Sequence, residues 1–398
     1  MQSLFSPLDL FQRGGKLKLP DIELRDITKT FDDGKVLAVN DISLHISDGD
    51  YVFLLGPSGC GKTTTLRIIA GLEEPSKGEV LIDGKNVKGI QPEDRDMGFI
   101  FQNFEIFQNM TVWENVTFGL EMRGFEEEYI VKKAEEALSI VDLLKYSEEF
   151  PSIFGNPGLQ KLGIARAIAT GAKILIMDEP LGSLDPKVSN VFRHELRNLI
   201  KDLGLTAIHV THNQEEAMAI ADKIIVMRAG KILQIGSPYE LYEKPKTIFT
   251  ANFLGETNFL QGFILKLIED NKIIAWIRLG GPKIRCKNYG DFNLDDNVII
   301  AFRYEDVYLF PYDYDFDRSQ YDWKDMEFFE AELESSRFIG ATKRFYLKLD
   351  NGDKFVSIKP GNYEENYSVG EKLIIAVHQK DIHIFHSPDD LEKELSLM

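Results

Sequence analysis

Residues 51–72, YVFLLGPSGCGKTTTLRIIAGL, constrain the fold of this chain more than any other stretch. An apolar run predicts a short strand, a glycine-rich turn follows, and an amphipathic helix is expected to start near Lys62. The turn fits G-x-x-x-x-G-K-[ST] through Gly56, Gly61, Lys62 and Thr63. In such a loop the glycines let successive backbone N–H groups wrap around an anion, and the helix N-terminus adds partial positive charge. The expected nucleotide-binding residues are Gly56, Pro57, Ser58, Gly59, Cys60, Gly61, Lys62, Thr63 and Thr64. Lys62 would bridge the β- and γ-phosphates of ATP, and the Thr63 hydroxyl would ligate Mg²⁺. Cys60 reads as a small spacer rather than a reactive thiol. The fold class that follows is α/β, of the P-loop NTPase kind.

A nucleotide site also needs a metal carboxylate and a group that positions the attacking water. The segment KILIMDEP supplies both. Ile174 to Met177 read as a buried parallel strand that delivers Asp178 to its C-terminal end, where open α/β sheets bind ligands. Asp178 would hold Mg²⁺ through water, and Glu179 would act as general base. A second strand, Ala207 to Thr211, presents His212 at the following turn, within reach of a γ-phosphate as a donor. His209, inside that strand, reads as a packed histidine.

The bulk properties narrow the setting. A chain of 398 residues predicts two or three domains. Its net charge of −18 opposes tracking along a phosphate backbone, so no nucleic-acid partner is expected. Two distant cysteines, Cys60 and Cys286, offer neither a disulfide framework nor metal-ligand spacing, and the compartment reads as cytosolic. No apolar run approaches the roughly 18 residues of a membrane span. The opening segment, residues 1–20, lacks the features of a secretory signal. Leu4, Phe5, Leu8 and Phe11 either form one apolar helical face against a partner or membrane, or belong to a frayed extension.

Taken in order, GPSGCGKTT, FIFQNFEIFQNMTVWENVTFGL, IARAIA, LIMDEPLGSLD and VTHNQEEAMAIADKIIVMRAGKILQIGSPYELYEKP resemble the successive motifs of the ATPase subunit of an ABC (ATP-binding cassette) transporter. By that resemblance Phe31 matches the aromatic that stacks on adenine, although as a residue it could equally sit in the core. Gln102 matches the glutamine that senses Mg²⁺ and the membrane subunit, Asp185 the aspartate that reaches across a dimer, and His212 the switch histidine. The catalytic set is then Glu179, His212, Gln102 and Lys62, with Thr63, Gln102 and Asp178 at the metal. The resemblance implies an importer subunit on the cytoplasmic face of the cell membrane. Its partners would be two transmembrane permease subunits, a second ABC ATPase subunit and, indirectly, an extracytoplasmic solute-binding protein.

Residues 21–240 form the expected cassette, with a helical subdomain at about 103–161 in which Ile130, Ala134, Ala137, Leu138 and Val141 share one face by i, i+3, i+4 spacing. Beyond it the periodicity changes from 3.6 to 2. KIIAWIRL, VIIAFRYEDVYLF, KRFYLKL, KFVSIKP and KLIIAVHQKDIHIF predict a small all-β domain over 241–398, resembling the OB-like tail of importer ATPases. A dimerising or ligand-sensing role fits an acidic tail better than nucleic-acid binding does.

One motif is broken. The family's signature sequence, L-S-G-G-Q, begins a helix ending in I-A-R-A. Counting back from Ile164, Ala165, Arg166 and Ala167 places Phe154, Gly155, Asn156, Pro157 and Gly158 on its five positions. Gly155 has no hydroxyl, Pro157 has no backbone N–H, and the glutamine is lost. Asn156 is expected as the N-cap and Pro157 as the first helical residue. The scaffold is kept and the anion grip is removed, which predicts a heterodimer with one degenerate ATP site; the alternatives are a homodimer with two crippled sites and a nucleotide-binding regulator. The junction FLGETNFL resembles the polyamine-type importer more than the sugar-type one, or it only sets linker geometry.

Overall fold

The computed structural model describes residues 20–101, 105–182, 185–268, 272–277, 280–287, 290–314 and 323–396. The chain divides into two compact units, one ending at Tyr239 and the other starting at Glu240. The first begins with strands β1 (Ile22–Phe31) and β2 (Val36–Ile46), followed by β3 (Tyr51–Leu55), helix α1 (Lys62–Ala70), β4 (Lys77–Ile82), β5 (Lys85–Asn86) and β6 (Met97–Ile100). Helices α2 (Val112–Met122), α3 (Glu127–Ile140) and α4 (Asn156–Ala169) come next. Then β7 (Ile174–Asp178), α5 (Pro186–Asp202), β8 (Thr206–Thr211), α6 (Gln214–Ile220), β9 (Lys223–Arg228) and β10 (Lys231–Gly236) complete it.

Two sheets share its core. One is antiparallel, in the order β2-β1-β4-β5; the other runs β10-β9-β3-β8-β7-β6, parallel except for β10. Strands covered on both faces must be apolar throughout, and β3 is buried at all five residues. Helix α1 lies between the sheets: Leu66 and Ile69 join Leu24 and Ile42 of the antiparallel sheet and Leu54, Ile176 and Val210 of the parallel one in a single apolar cluster. The parallel topology brings the C-terminal ends of β3, β7 and β8 to one edge. There the chain turns at the phosphate loop, at Asp178–Glu179 and at His212.

The helical segment is anchored by a capping box at Thr111. Its hydroxyl accepts from Glu114 N at 3.2 Å, and the Glu114 carboxylate accepts from Thr111 N at 2.7 Å. Ala134, Ala137, Leu138 and Val141 are buried as the spacing predicts, with Ile130 half-buried at the edge of the stripe. Helix α4 continues the stripe through Leu162, Ala165 and Ala169.

Among its described residues the second unit is mostly β, with short α-helices toward its ends, α7 (Pro238–Glu243), which straddles the division, α8 (Ile248–Leu254) and α9 (Leu391–Leu395), and two short 3₁₀ turns, Trp323–Asp325 and Gln379–Asp381. One sheet contains β11 (Thr257–Ile268), β12 (Lys272–Ile277), β13 (Lys283–Lys287), β14 (Asn297–Arg303) and β20 (His383–His386). The other contains β15 (Tyr308–Pro311), β16 (Met326–Ile339), β17 (Thr342–Lys348), β18 (Lys354–Pro360) and β19 (Lys372–His378). Their inner faces meet in one core, with Ile264, Ile300 and Phe302 from the first sheet against Leu333, Phe345 and Ile375 from the second. No described helix is long and apolar enough to cross a membrane.

Candidate functional site

The loop between β3 and α1 owes its path to close backbone approaches. A Cβ on Gly56 would lie 2.2 Å from the carbonyl oxygen of Met227 in β9, and one on Gly61 would lie 2.3 Å from that of Ala38 in β2. Gly61 also has φ of +102°, a conformation that side chains disfavour. Neighbouring strands hold the loop from outside: Gly230 N donates to Cys60 O at 3.0 Å and Asn40 N to Gly230 O at 2.9 Å. Burial pushes the Cys60 thiol above its ordinary pKa, which suits a packed spacer rather than a nucleophile. Replacing Gly61 by Ala is expected to lower stability by about 2 kcal/mol or more and to weaken ATP binding in parallel. Thermal denaturation and nucleotide titration check both.

The Lys62 ammonium is buried and crosses the loop, donating to Gly56 O and Pro57 O at 2.8 Å each. Ser58 and Gly59 are exposed at the crown of the loop, and Thr64 is half-buried behind Thr63. Thr63 Oγ1 donates to Asp178 Oδ1 at 3.2 Å, joining the end of α1 to the end of β7. Burial raises the Asp178 carboxyl above its ordinary pKa, with Glu179 adding to the rise and the Thr63 bond and Lys62 opposing it.

Glu179 takes the left-handed conformation, φ +47°, which is uncommon for a residue with a Cβ. Its N–H donates to Val210 O at 2.9 Å, and its carbonyl accepts from Gly182 N at 3.2 Å. The side chain then turns toward His212, whose Nδ1 lies 3.1 Å from Glu179 Oε1. The structure therefore brings Thr63 together with Asp178, and Glu179 together with His212.

Asp185 stands apart from these pairs as the N-cap of α5, its Oδ1 accepting from Lys187 N at 2.9 Å. Phe31 is half-buried, outside the apolar core, with the Lys29 ammonium 4.9 Å from its ring centroid. It pairs with Val36, at the start of the strand whose Ala38 abuts Gly61. Gln102 and the opening residues Leu4, Phe5, Leu8 and Phe11 lie outside the described residues.

In the segment read from sequence as a broken signature, the N-cap is Gly155, not Asn156, which is already the first helical residue. The shift by one arises because Gly158 N and Leu159 N both turn back onto Gly155 O, at 3.0 and 3.1 Å. Two N–H groups at the helix start thus serve the helix, and Pro157 has none. A Cβ on Gly155 would meet nothing closer than 3.8 Å, so a serine would fit. A Cβ on Gly158 would lie 2.8 Å from Phe154 Cβ and 2.9 Å from its ring, which packs edge-on against Tyr146. Phe154 and Gly158 are therefore one steric unit.

Comparison with known proteins agrees with this geometry. Residues 39–182 match the family described as ABC transporter. Over 89% of its length the chain is 35% identical to a spermidine/putrescine import ATP-binding protein (PotA) of Oleidesulfovibrio alaskensis, covering 94% of that protein. The PotA protein of Thermotoga maritima is 32% identical over 93% of the chain and 96% of its own length. The Fe(3+) ions import ATP-binding protein FbpC 1 of Haemophilus influenzae is 35% identical over 85% of the chain and 98% of its own. The chain belongs to the ATP-binding subunits of ABC transporters. Among solved structures, cbiO1 of Clostridium perfringens, part of the ABC transporter complex cbiONQ, superposes with a TM-score of 0.52 at 27% identity, covering 55% of this chain and 89% of that one.

Membership makes this an ABC-type ATPase, and the residues present fit MgATP. Two glycines stand where no Cβ could, a buried ammonium spans the loop, and a hydroxyl and a carboxylate converge at its base. Sequence reasoning missed Ala38, Asn40 and Gly230, the outer support of the loop. Gly230 carried a turn signal; nothing marked the other two, which act through backbone groups. A groove of about 200 Å³ lies beside α2 and α4, lined by Phe99, Phe101, Phe118, Gly119 and Arg166.

Proposed function

We propose that this chain is the energy-coupling subunit of an importer for polyamines or a related small solute, docked on the cytoplasmic face of the membrane against two permease subunits. The observation that carries the reading is the convergence of the phosphate loop, Asp178, Glu179 and His212 at one sheet edge. The two spermidine/putrescine relatives support the solute class, as does the junction Gly255–Asn258, while the iron relative supports a broader small-solute range. The unit ending at Tyr239 acts as the cassette and the β unit as its dimerising or ligand-sensing tail.

In this mechanism the loop N–H groups and Lys62 bind the β- and γ-phosphates of ATP, and Phe31 stacks on the base. Thr63 and Asp178, with Gln102, would hold Mg²⁺, which would supply neutralisation of the phosphate charge when bound. Glu179 Oε accepts a proton from water as the water oxygen bonds to the γ-phosphorus and the bond to the bridging oxygen of ADP breaks. His212 Nε2 donates to the γ-phosphoryl oxygen, with Nδ1 facing Glu179. Asp185 reaches the partner cassette, and the groove beside α2 and α4 receives a short helix of the permease.

The signature geometry supports pairing with a second, non-identical cassette. In such a dimer the signature of one subunit closes on the phosphate loop of the other. This chain supplies the Gly56–Thr63 loop, Asp178, Glu179 and His212, and the partner supplies an intact signature. Affinity purification from membranes tests the reading. Two permeases and a second cassette protein are expected, with ATPase activity stimulated by the polyamine-loaded binding protein; recovery of this chain alone, with full turnover, would overturn the heterodimer.

A further inference from the structure

The turn that carries His212 is fastened by a buried polar network. His212 is 60% exposed at its side chain, so packing of its own ring does not hold the turn. Thr211, one residue earlier, does. Its hydroxyl donates to Glu216 Oε2 at 2.8 Å and accepts from Asn213 N at 3.0 Å. Asn213 Oδ1 in turn accepts from Glu216 N at 3.1 Å, capping α6. Glu216 is thus bonded to both flanks of His212.

The carboxylate is itself held from below. Glu216 is 4% exposed, and its Oε1 lies 2.9 Å from Nε2 of His209, which is fully buried, in a close contact without an aligned hydrogen bond. His209 Nδ1 is 2.9 Å from the hydroxyl of Tyr51 in β3, and its ring stacks on Phe53 at 4.3 Å. A carboxylate only accepts, so Nε2 bears a proton at this contact. Burial pushes the Glu216 carboxyl up, but His209, the Thr211 bond and nearby Arg193 hold it below its ordinary pKa. An apolar residue would pack this position at less desolvation cost. What the carboxylate adds is its grip on Thr211.

We propose that Glu216 is a positioning residue for His212: through the Thr211 hydroxyl, and braced by His209 and Tyr51, it fixes the turn that sets the imidazole against Glu179. The proposal rests on the role assigned to His212 under Proposed function. Thr211→Val removes the bridging hydroxyl at nearly constant volume. In the transport complex it is expected to lower kcat about 10- to 100-fold and leave KM for ATP within about twofold. In a His212→Ala background the same change should alter kcat by less than about twofold, because the residue being positioned is gone. Glu216→Gln keeps an acceptor for Thr211, so it should recover most of what Glu216→Ala loses; it also serves as the second variant if Thr211→Val unfolds.

A readout independent of turnover is the imidazole signal of His212 in ¹³C-histidine-labelled, nucleotide-free chain, assigned with His212→Ala. Thr211→Val should move that signal toward its position in Glu179→Gln. Full additivity with His212→Ala, or an unmoved signal, overturns the positioning role alone. Wild-type kcat in His212→Ala removes the role of His212 and this proposal with it, and the single variant by itself distinguishes that failure.

Discussion

Glu179→Gln is expected to reduce ATP turnover by about 10²- to 10⁴-fold while leaving MgATP affinity within about twofold. The two effects separate because the residue is delivered from outside the phosphate loop. Its backbone is fixed in the left-handed region by bonds to Val210 O and from Gly182 N, and its side chain faces His212 at 3.1 Å. A glutamine keeps that shape and an acceptor for the ring, but its amide cannot take a proton from water. The groups proposed to bind phosphate, the N–H donors of the loop between β3 and α1 and Lys62 at the start of α1, are untouched. Steady-state phosphate release and equilibrium titration with a fluorescent nucleotide check the two halves. With hydrolysis blocked, the cassette dimer should persist in MgATP and be seen by size-exclusion chromatography. A variant that turns over like wild type would remove Glu179 from the chemistry, and one that no longer binds ATP would assign it to the loop.

How far such a site can be read from the chain depends on which forces place each part. The phosphate loop was legible because its signal is local: the spacing of Gly56, Gly61, Lys62 and Thr63 is visible in one line of sequence, although the backbones that demand the two glycines, at Met227 and Ala38, lie elsewhere along the chain. Strand β7 was legible because a strand covered on both faces has no polar alternation to confuse it. The β unit was read in kind but not completely. Strand β16 places Phe329, Ala331 and Leu333 inward with Glu330 and Glu332 outward, a period-2 pattern written in Ala and Glu, residues of low strand propensity. Its Glu327 is buried because Arg285 and Gln379 meet it, a pairing across 42 and 52 positions that no window of sequence reveals. The Asn156 cap was misplaced by one residue for a similar reason: the choice between Gly155 and Asn156 was made by the turn onto Gly155 O, not by cap preference. The brace of His212 was hidden because Tyr51 and His209 stand 158 positions apart.

Rebuilding the signature is expected to raise the ATPase rate of the purified chain by about 10²- to 10⁴-fold, on the view that two lost donors to a charged oxygen, each worth about 1.5–3 kcal/mol, limit it. The structure dictates the order in which the changes must be made. Gly155→Ser alone is sterically open, with no atom nearer than 3.8 Å to the new Cβ, and should leave stability within about 0.5 kcal/mol. It returns the hydroxyl but not the backbone donor, so its gain should be small, about tenfold or less. Pro157→Gly restores that N–H and frees the helix start, with a modest entropic cost. Gly158→Gln on its own should destabilise the chain, because its Cβ would fall 2.8 Å from that of Phe154; paired with Phe154→Leu the clash is relieved and the two changes should be strongly non-additive. Only the complete set, with Asn156→Gly, presents hydroxyl, N–H groups and glutamine together to the phosphate loop of a second copy. The gain should require both copies to be intact elsewhere, so adding Glu179→Gln should abolish it. If the rebuilt chain pairs with itself in MgATP and still fails to turn over, the deficit lies outside the Gly155–Gly158 turn, and the non-identical partner would have to supply more than a signature.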